Sequence, residues 1–139
     1  MAINTLIMGA AGRDFHNFLT YFKNNKQYNV KCFTANQIPG ISGKKFPKEL
    51  SGSLYKNGIK IYDETELPYL IKSKKIELCV LSYSDLSNNE VMEKIAYVQT
   101  LGCDFMILGP DTTQLKSKKP IISVTAVRTG CGKSQITRH

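Results

Sequence analysis

The sequence predicts an α/β protein built on an open, mainly parallel sheet with helices on both faces, and three observations carry that expectation. Short apolar runs rich in Val, Ile, Leu and Cys alternate with amphipathic stretches, which is the rhythm of consecutive βαβ units. The first run ends directly on Gly9-Ala10-Ala11-Gly12, a strand-to-helix turn of the Rossmann-like kind. The last, Ile121 to Ala126, ends on Val127-Arg128-Thr129-Gly130-Cys131-Gly132-Lys133-Ser134, the pattern of a strand entering a phosphate loop. The expected organisation is therefore a Rossmann-like domain over residues 1–113, a linker over 114–120, and the first strand and P-loop of a truncated NTPase domain over 121–139.

The elements follow in order. Ile3 to Met8 is the first strand, and Phe15, Phe18, Leu19 and Phe22 recur at helical spacing over Asp14 to Asn24, giving a helix that packs on the sheet. Tyr28 to Thr34 is the second strand. The polar stretch Asn36 to Pro47 that follows exceeds the usual βα connection of about two to six residues, and such loops at a strand's carboxyl end tend to be functional. After a turn at Asn57-Gly58 comes a short strand, Ile59 to Tyr62. Asp63 or Thr65 can cap the next helix, whose apolar face is Leu67, Leu70 and Ile71, with Pro68 tolerable only in its first turn. Leu78 to Leu81 is a fourth strand. Asn88 to Leu101 reads as a helix closed by Gly102, with Val91, Ile95, Val98 and Leu101 facing the core. Asp104 to Leu108 is the fifth strand and Ile121 to Ala126 the sixth.

At 139 residues the chain fits one domain of about 100–150 residues, and a 42% hydrophobic content is enough for a core. No stretch reaches the roughly 20 apolar residues of a membrane span, and Met1 to Thr5 lacks the charged-then-apolar pattern of a secretory leader. The expectation is a cytoplasmic protein without a membrane partner. Cys32, Cys79, Cys103 and Cys131 are far apart and read as reduced thiols; the lack of a C-x-x-C pair argues against zinc. The net charge of +8 comes from scattered lysine pairs such as Lys44-Lys45 and Lys118-Lys119. With no basic stripe or aromatic platform among them, nucleic acid is not an expected partner. Composition leaves formation of a homo-oligomer open.

The terminal motif carries the most specific chemistry. Glycine amides converge on a phosphate, a lysine adds a point charge, and a serine hydroxyl ligates Mg²⁺ at the start of the next helix. Gly132, Lys133 and Ser134 meet the G-x-x-x-x-G-K-[ST] spacing, Val127 stands where its first glycine belongs, and Gly130 partly compensates. Arg128, Gly130, Gly132, Lys133 and Ser134 are thus the candidate nucleotide-binding residues, with Ser134 the candidate metal contact. The alternative is a basic surface turn. Since an NTPase domain needs further strands and an acidic metal partner after its first helix, the expectation is of a fragment inactive in isolation.

A second candidate site lies at the carboxyl ends of the strands. Gly9 and Gly12 offer amides at a helix N-terminus, Arg13 could make a bidentate phosphate contact, and His16 lies about one turn into the helix. The full G-x-G-x-x-G is absent and no acidic residue closes the second strand; the alternative reading is that the glycines serve only a tight strand–helix turn. Asp85 and Asp111 at other strand exits are candidates for metal or hydroxyl contacts and equally for turn residues. No nucleophile–base pair is identifiable, so catalytic residues are unassigned.

Five segments, Gly9 to Phe18, Thr34 to Ile41, Tyr83 to Ser87, Leu108 to Pro110 and Lys116 to Ser134, agree in order and spacing with a known family. Together they resemble the archaeal and bacterial cyclic 2,3-diphosphoglycerate synthetase family, over essentially the whole chain. The resemblance implies a Rossmann-like domain followed by a P-loop NTPase domain, ATP- or GTP-dependent chemistry with Mg²⁺, and ligase-type reaction on a small phosphorylated metabolite. It implies that Gly130, Gly132, Lys133 and Ser134 contact nucleotide phosphates, and that Gly9, Gly12 and Arg13 belong to the first domain's ligand pocket. The competing expectation is a stand-alone Rossmann-like module binding a dinucleotide or phosphorylated metabolite.

Overall fold

The structure, a computed structural model, describes residues 1–9, 12–36, 40, 43–125 and 133–137. Its framework is a six-stranded sheet. In chain order the strands are β1 (Ile3–Gly9), β2 (Tyr28–Ala35), β3 (Lys45–Phe46), β4 (Ile59–Asp63), β5 (Leu78–Leu81) and β6 (Asp104–Ile107), and in space they run β3-β4-β2-β1-β5-β6. Every pairing is parallel except β3 with β4. The chain builds outward from β1 through β2 to β4, then crosses to β5 on β1's other side. The strand order therefore reverses between β1 and β5, the place where open parallel sheets leave a crevice at their carboxyl ends.

Each face of the sheet carries its own core. On one lies α1 (Arg13–Asn17), which continues as a π-helical turn, Phe18–Phe22. The Thr20 hydroxyl donates to the His16 carbonyl at 2.8 Å, and the Lys23 amide reaches back five residues to Phe18 at 2.8 Å. That wider turn replaces the straight helix expected over Asp14 to Asn24, while Phe18 and Phe22 are both fully buried. They join Phe33, Phe46 and Tyr55 in one cluster. The Phe18 ring meets Phe33, Phe46 and Tyr55 edge-on at centroid distances of 5.7, 5.2 and 5.2 Å, geometry that adds about 1 kcal/mol per pair beyond burial.

The other face is aliphatic and sulfur-rich. Leu6, Met8, Cys32 and Cys79 of the sheet pack against α3 (Leu67–Lys74) and α4 (Asn88–Thr100). Asp63, one of the two caps expected for α3, forms a capping box with Glu66 before it, and Ser87 and Glu90 form a second before α4. Gly102, at φ 81°, closes α4. Of the stripe expected on α4, Val98 is fully buried and Val91, Ile95 and Leu101 only partly, because β6 ends the described sheet and leaves that helix half covered. Burial pushes the Cys32 thiol up to about 12 and the Cys79 thiol higher still.

Two segments depart from expectation. The stretch read as an open loop before Pro47 returns to the sheet as β3, because buried Phe46 anchors it and Gly43 and Lys44 exchange backbone hydrogen bonds with Ile61. Between β3 and β4 lie two short pieces, α2 (Lys48–Ser51) and a 3-10 turn, Ser53–Tyr55. A sixth strand at Ile121 to Ala126 is not formed over residues 121–125: they find no ladder partner among the described residues, Ile122 is 96% exposed, and Ala126 lies outside those residues. A short helix, α5 (Pro110–Thr113), follows β6, and α6 (Lys133–Ile136) begins at the lysine of the terminal motif. No helix among the described residues is long and apolar enough to cross a membrane.

Candidate functional site

The carboxyl ends of β1, β2, β4 and β5 meet at one edge, and its two sides are built differently. On the α1 side, β1 ends at Gly9 and the helix opens after Gly12. A β-carbon on Gly9 would lie 2.3 Å from the Asp14 β-carbon, so only glycine fits. Asp14 is 1% exposed and its carboxylate accepts the Gly12 amide at 2.6 Å. The amide that would greet an incoming phosphate is thus held by an internal carboxylate, which also complements the positive end of α1. Arg13 is exposed beside it.

Behind this turn the strand exits are tied together by side chains. His16 is half-buried, and its Nε2 lies 2.7 Å from the Thr113 carbonyl oxygen; a carbonyl only accepts, so Nε2 carries the proton. The Thr113 hydroxyl donates to Gly109. Asn17, 1% exposed, donates from Nδ2 to the Ser82 hydroxyl at 2.8 Å, and the Ser82 amide donates to Met8 at 2.8 Å. The structure thus brings Gly9, Gly12 and His16 together with Ser82 and Thr113. Asp85 and Asp111 are exposed, on the connection from β5 to α4 and on α5.

On the α3/α4 side the edge is open. Glu64, just after β4, accepts from the Tyr83 hydroxyl and from Lys94 Nζ of α4. The Tyr83 oxygen accepts the Asn36 amide at 3.2 Å, and Lys94 Nζ lies 5.3 Å above the Tyr83 ring centroid. Burial first, then the hydrogen bond and charge of Glu64, raise the Tyr83 pKa well above its usual value, so this phenol stays a donor. Beside the group lies a cavity of about 280 Å³ lined by Met8, Leu67, Tyr97, Asn36, Glu64 and Lys94, among others. A broader, open depression of about 570 Å³ lies over Leu19 to Gln27, at the opposite end of the strands and away from these groups.

Sequence reasoning did not select Asp14, Asn17, Glu64 or Lys94. An acid in a helix's first turn, as Asp14 is, carries no special local signal, and Glu64 and Lys94 are 30 residues apart, beyond any local pattern. Of the terminal motif, Arg128, Gly130 and Gly132 lie outside the described residues. Lys133 and Ser134 open α6, where the Thr137 amide returns to the Lys133 carbonyl at 3.1 Å.

No known family model matches the chain. It is 53% identical over 133 residues to a protein of Thermococcus kodakarensis named arginine synthetase ArcE, covering 96% of this chain and 30% of that protein, so the chain spans under a third of the relative's length. Among solved structures, UDP-D-quinovosamine 4-dehydrogenase from Vibrio fischeri superposes with a TM-score of 0.57 at 19% identity, over 78% of this chain and 80% of that one. RSP in complex with β-NADH superposes with a TM-score of 0.54 at 15% identity, over 86% of this chain and 49% of that one. RSP, described as a Rex-family repressor, does so in a second structure at 0.55 and 16%, with the same coverage. At such identities these likenesses establish the fold alone: the chain is an α/β, Rossmann-like protein.

Proposed function

We propose that this chain is part of a nucleotide-dependent synthetase, in which the segment from Arg128 to Ser134 is a phosphate loop for ATP or GTP with Mg²⁺ and the Rossmann-like unit holds a small phosphorylated metabolite. The observation that carries the reading is the 53% identity, over nearly the whole chain, to a protein whose name is that of a synthetase. The resemblance to the cyclic 2,3-diphosphoglycerate synthetase family points to the same reaction class, bond formation driven by a nucleotide.

The residues suit those roles. The start of α6 at Lys133 fits a phosphate loop, in which glycine amides and a lysine meet the phosphates just before the helix. In this reading Arg128 and Lys133 contribute charge, Gly130 and Gly132 contribute amides, and the Ser134 hydroxyl holds Mg²⁺, which would neutralise phosphate charge. At the first turn the contact to the metabolite's phosphate falls to exposed Arg13, since Asp14 holds the Gly12 amide. Calorimetric titration of the chain with ATP and GTP tests the assignment: the expected result is weak, Mg²⁺-dependent binding without turnover, weaker still in Lys133→Ala. Binding indifferent to Lys133→Ala, or tight binding with turnover by this chain, would overturn it.

A further inference from the structure

We propose that the cavity between the end of α3 and the amino-terminal ends of β1 and β2 binds a small polyanion carrying at least two phosphate-type groups. It lies at the opposite end of the sheet from the crevice at the strands' carboxyl ends, and it does not rest on the phosphate-loop assignment. At about 380 Å³ it falls within the range of about 300 to 1,000 Å³ usual for ligand pockets, and Asn4, Lys31, Ser73, Lys74 and Lys75 line it.

Two different causes bring the three lysines together. Along β1 and β2 the register slips: Thr5 faces Val30 and Leu6 faces Cys32, so Lys31 is the extra residue of a bulge, with no partner opposite it on β1. A bulge takes a side chain out of the strand's regular alternation, and here it sets exposed Lys31 beside the end of α3. There Lys75 caps the helix in the left-handed conformation, at φ 50° and ψ 51°. Its carbonyl accepts Asn4 Nδ2 at 3.0 Å, so β1 pins the turn. Half-buried Lys74 is held with its Nζ 5.0 Å from the Tyr62 ring centroid.

None of the three ammonium groups has an ion-pair or hydrogen-bond partner among the described residues. Glu77, the acid that follows closely in sequence, accepts the Asn4 amide at 2.9 Å. Like charges around one cavity repel, and an anion seated between them is attracted to each. Compensation of a helix C-terminus accounts for a lysine at 74 or 75, but Lys31 comes from the sheet and owes nothing to α3. The turn does not require a lysine at 75 either, since glycine suits left-handed backbone best. Lysines act as point charges, the Ser73 hydroxyl adds one more donor, and no aromatic ring is among the described lining residues. Such a site reads charge rather than a base. An anion with two phosphate groups reaches lysines of both walls, whereas a single phosphate meets fewer of them.

The test is titration of the Lys133→Ala protein, in which the phosphate loop is disarmed, with inorganic pyrophosphate, orthophosphate and a thymidine oligonucleotide, followed by amide resonances. Pyrophosphate should bind more tightly than orthophosphate, shift the amides of Lys31, Ser73 and Lys75 while leaving that of Gly12 in place, and weaken as salt is added. Adding Lys31→Ala or Lys75→Gly should each weaken it about fivefold. Lys75→Gly also separates binding from folding: it relieves the left-handed turn, so the melting temperature should hold or rise while affinity falls. Because Lys133 is already removed, failure here and failure of the phosphate-loop assignment are separately visible. No pyrophosphate binding below about 10 mM, affinity unchanged by both lysine substitutions, or shifts confined to Gly12 and Arg13 would overturn the proposal. So would oligonucleotide binding about a hundredfold tighter than pyrophosphate, which would make this end of the sheet a nucleic-acid surface.

Discussion

The two faces of this sheet end differently at the same edge. On the α1 face, aromatic packing continues up to a turn sealed from within, where Asp14 lies against Gly9 and holds the Gly12 amide. On the α3/α4 face, the core is aliphatic and thiol-lined, and it gives way to a cavity bounded by a compensated carboxylate. The contrast teaches that a Rossmann-like fold does not by itself determine where its ligand goes. The glycine turn is the position most readily identified from sequence, yet here it is spent on closing the structure, and the room lies one strand over.

Removing the centre of the closed face should have the largest effect. Phe18→Ala deletes a fully buried ring that touches three others, and should lower unfolding free energy by about 4 kcal/mol in urea denaturation. A loss below about 1 kcal/mol would mean that the aromatic cluster is not the organising core of that face. Next comes the seal: Gly9→Ala sets a methyl into the Asp14 side chain and should cost about 3 kcal/mol, whereas Gly12→Ala, with open space around its β-carbon, should cost about 1 kcal/mol or less. Equal effects at the two glycines would sink the view that Asp14 closes the turn by contact with Gly9.

Alkali should then attack the faces in sequence. In the unfolded chain the thiols of Cys32 and Cys79 ionise near 9.0, but burial raises both in the folded state. Their neutral forms therefore contribute stability in full below about pH 9, and it is lost as pH rises from there toward the folded values, by up to about 1.4 kcal/mol per pH unit for each thiol. Tyr55 on the aromatic face, raised by burial from 10.0, joins about one unit later. Urea midpoints followed from about pH 8 to about pH 10.5 should fall, and Cys32→Ala should flatten that fall in part, since Cys79, Cys103 and the raised tyrosines still titrate; a slope unchanged in Cys32→Ala would assign it elsewhere. The smallest effect is expected at the open cavity: Tyr97→Ala, at a half-exposed ring, should shift stability by no more than about 0.5 kcal/mol. A larger loss in thermal melts would make that ring part of the core.

By itself the sequence determined the parallel βαβ framework and most of its punctuation. Apolar runs became β1, β2, β4, β5 and β6 within a residue or two, Asp63 announced one helix start, and Phe18 and Phe22 marked the buried side of the first helix. These features are local, set by residue spacing and by hydrogen bonds reaching only a few positions along the chain. Where the glycine turn is blocked and where a cavity remains could be decided only in three dimensions. Asp14 closes the turn because the end of β1 and the start of α1 press together at Gly9, and β3 forms because Phe46 is drawn into rings contributed by α1 and β2. Glu64 and Tyr83 follow β4 and β5, which β2 and β1 separate in the sheet, and they meet Lys94 of α4 only because both strands end at the same edge. A strand likewise needs a partner, which is why Ile121 to Thr125 reads as one in sequence and yet pairs with nothing among the described residues.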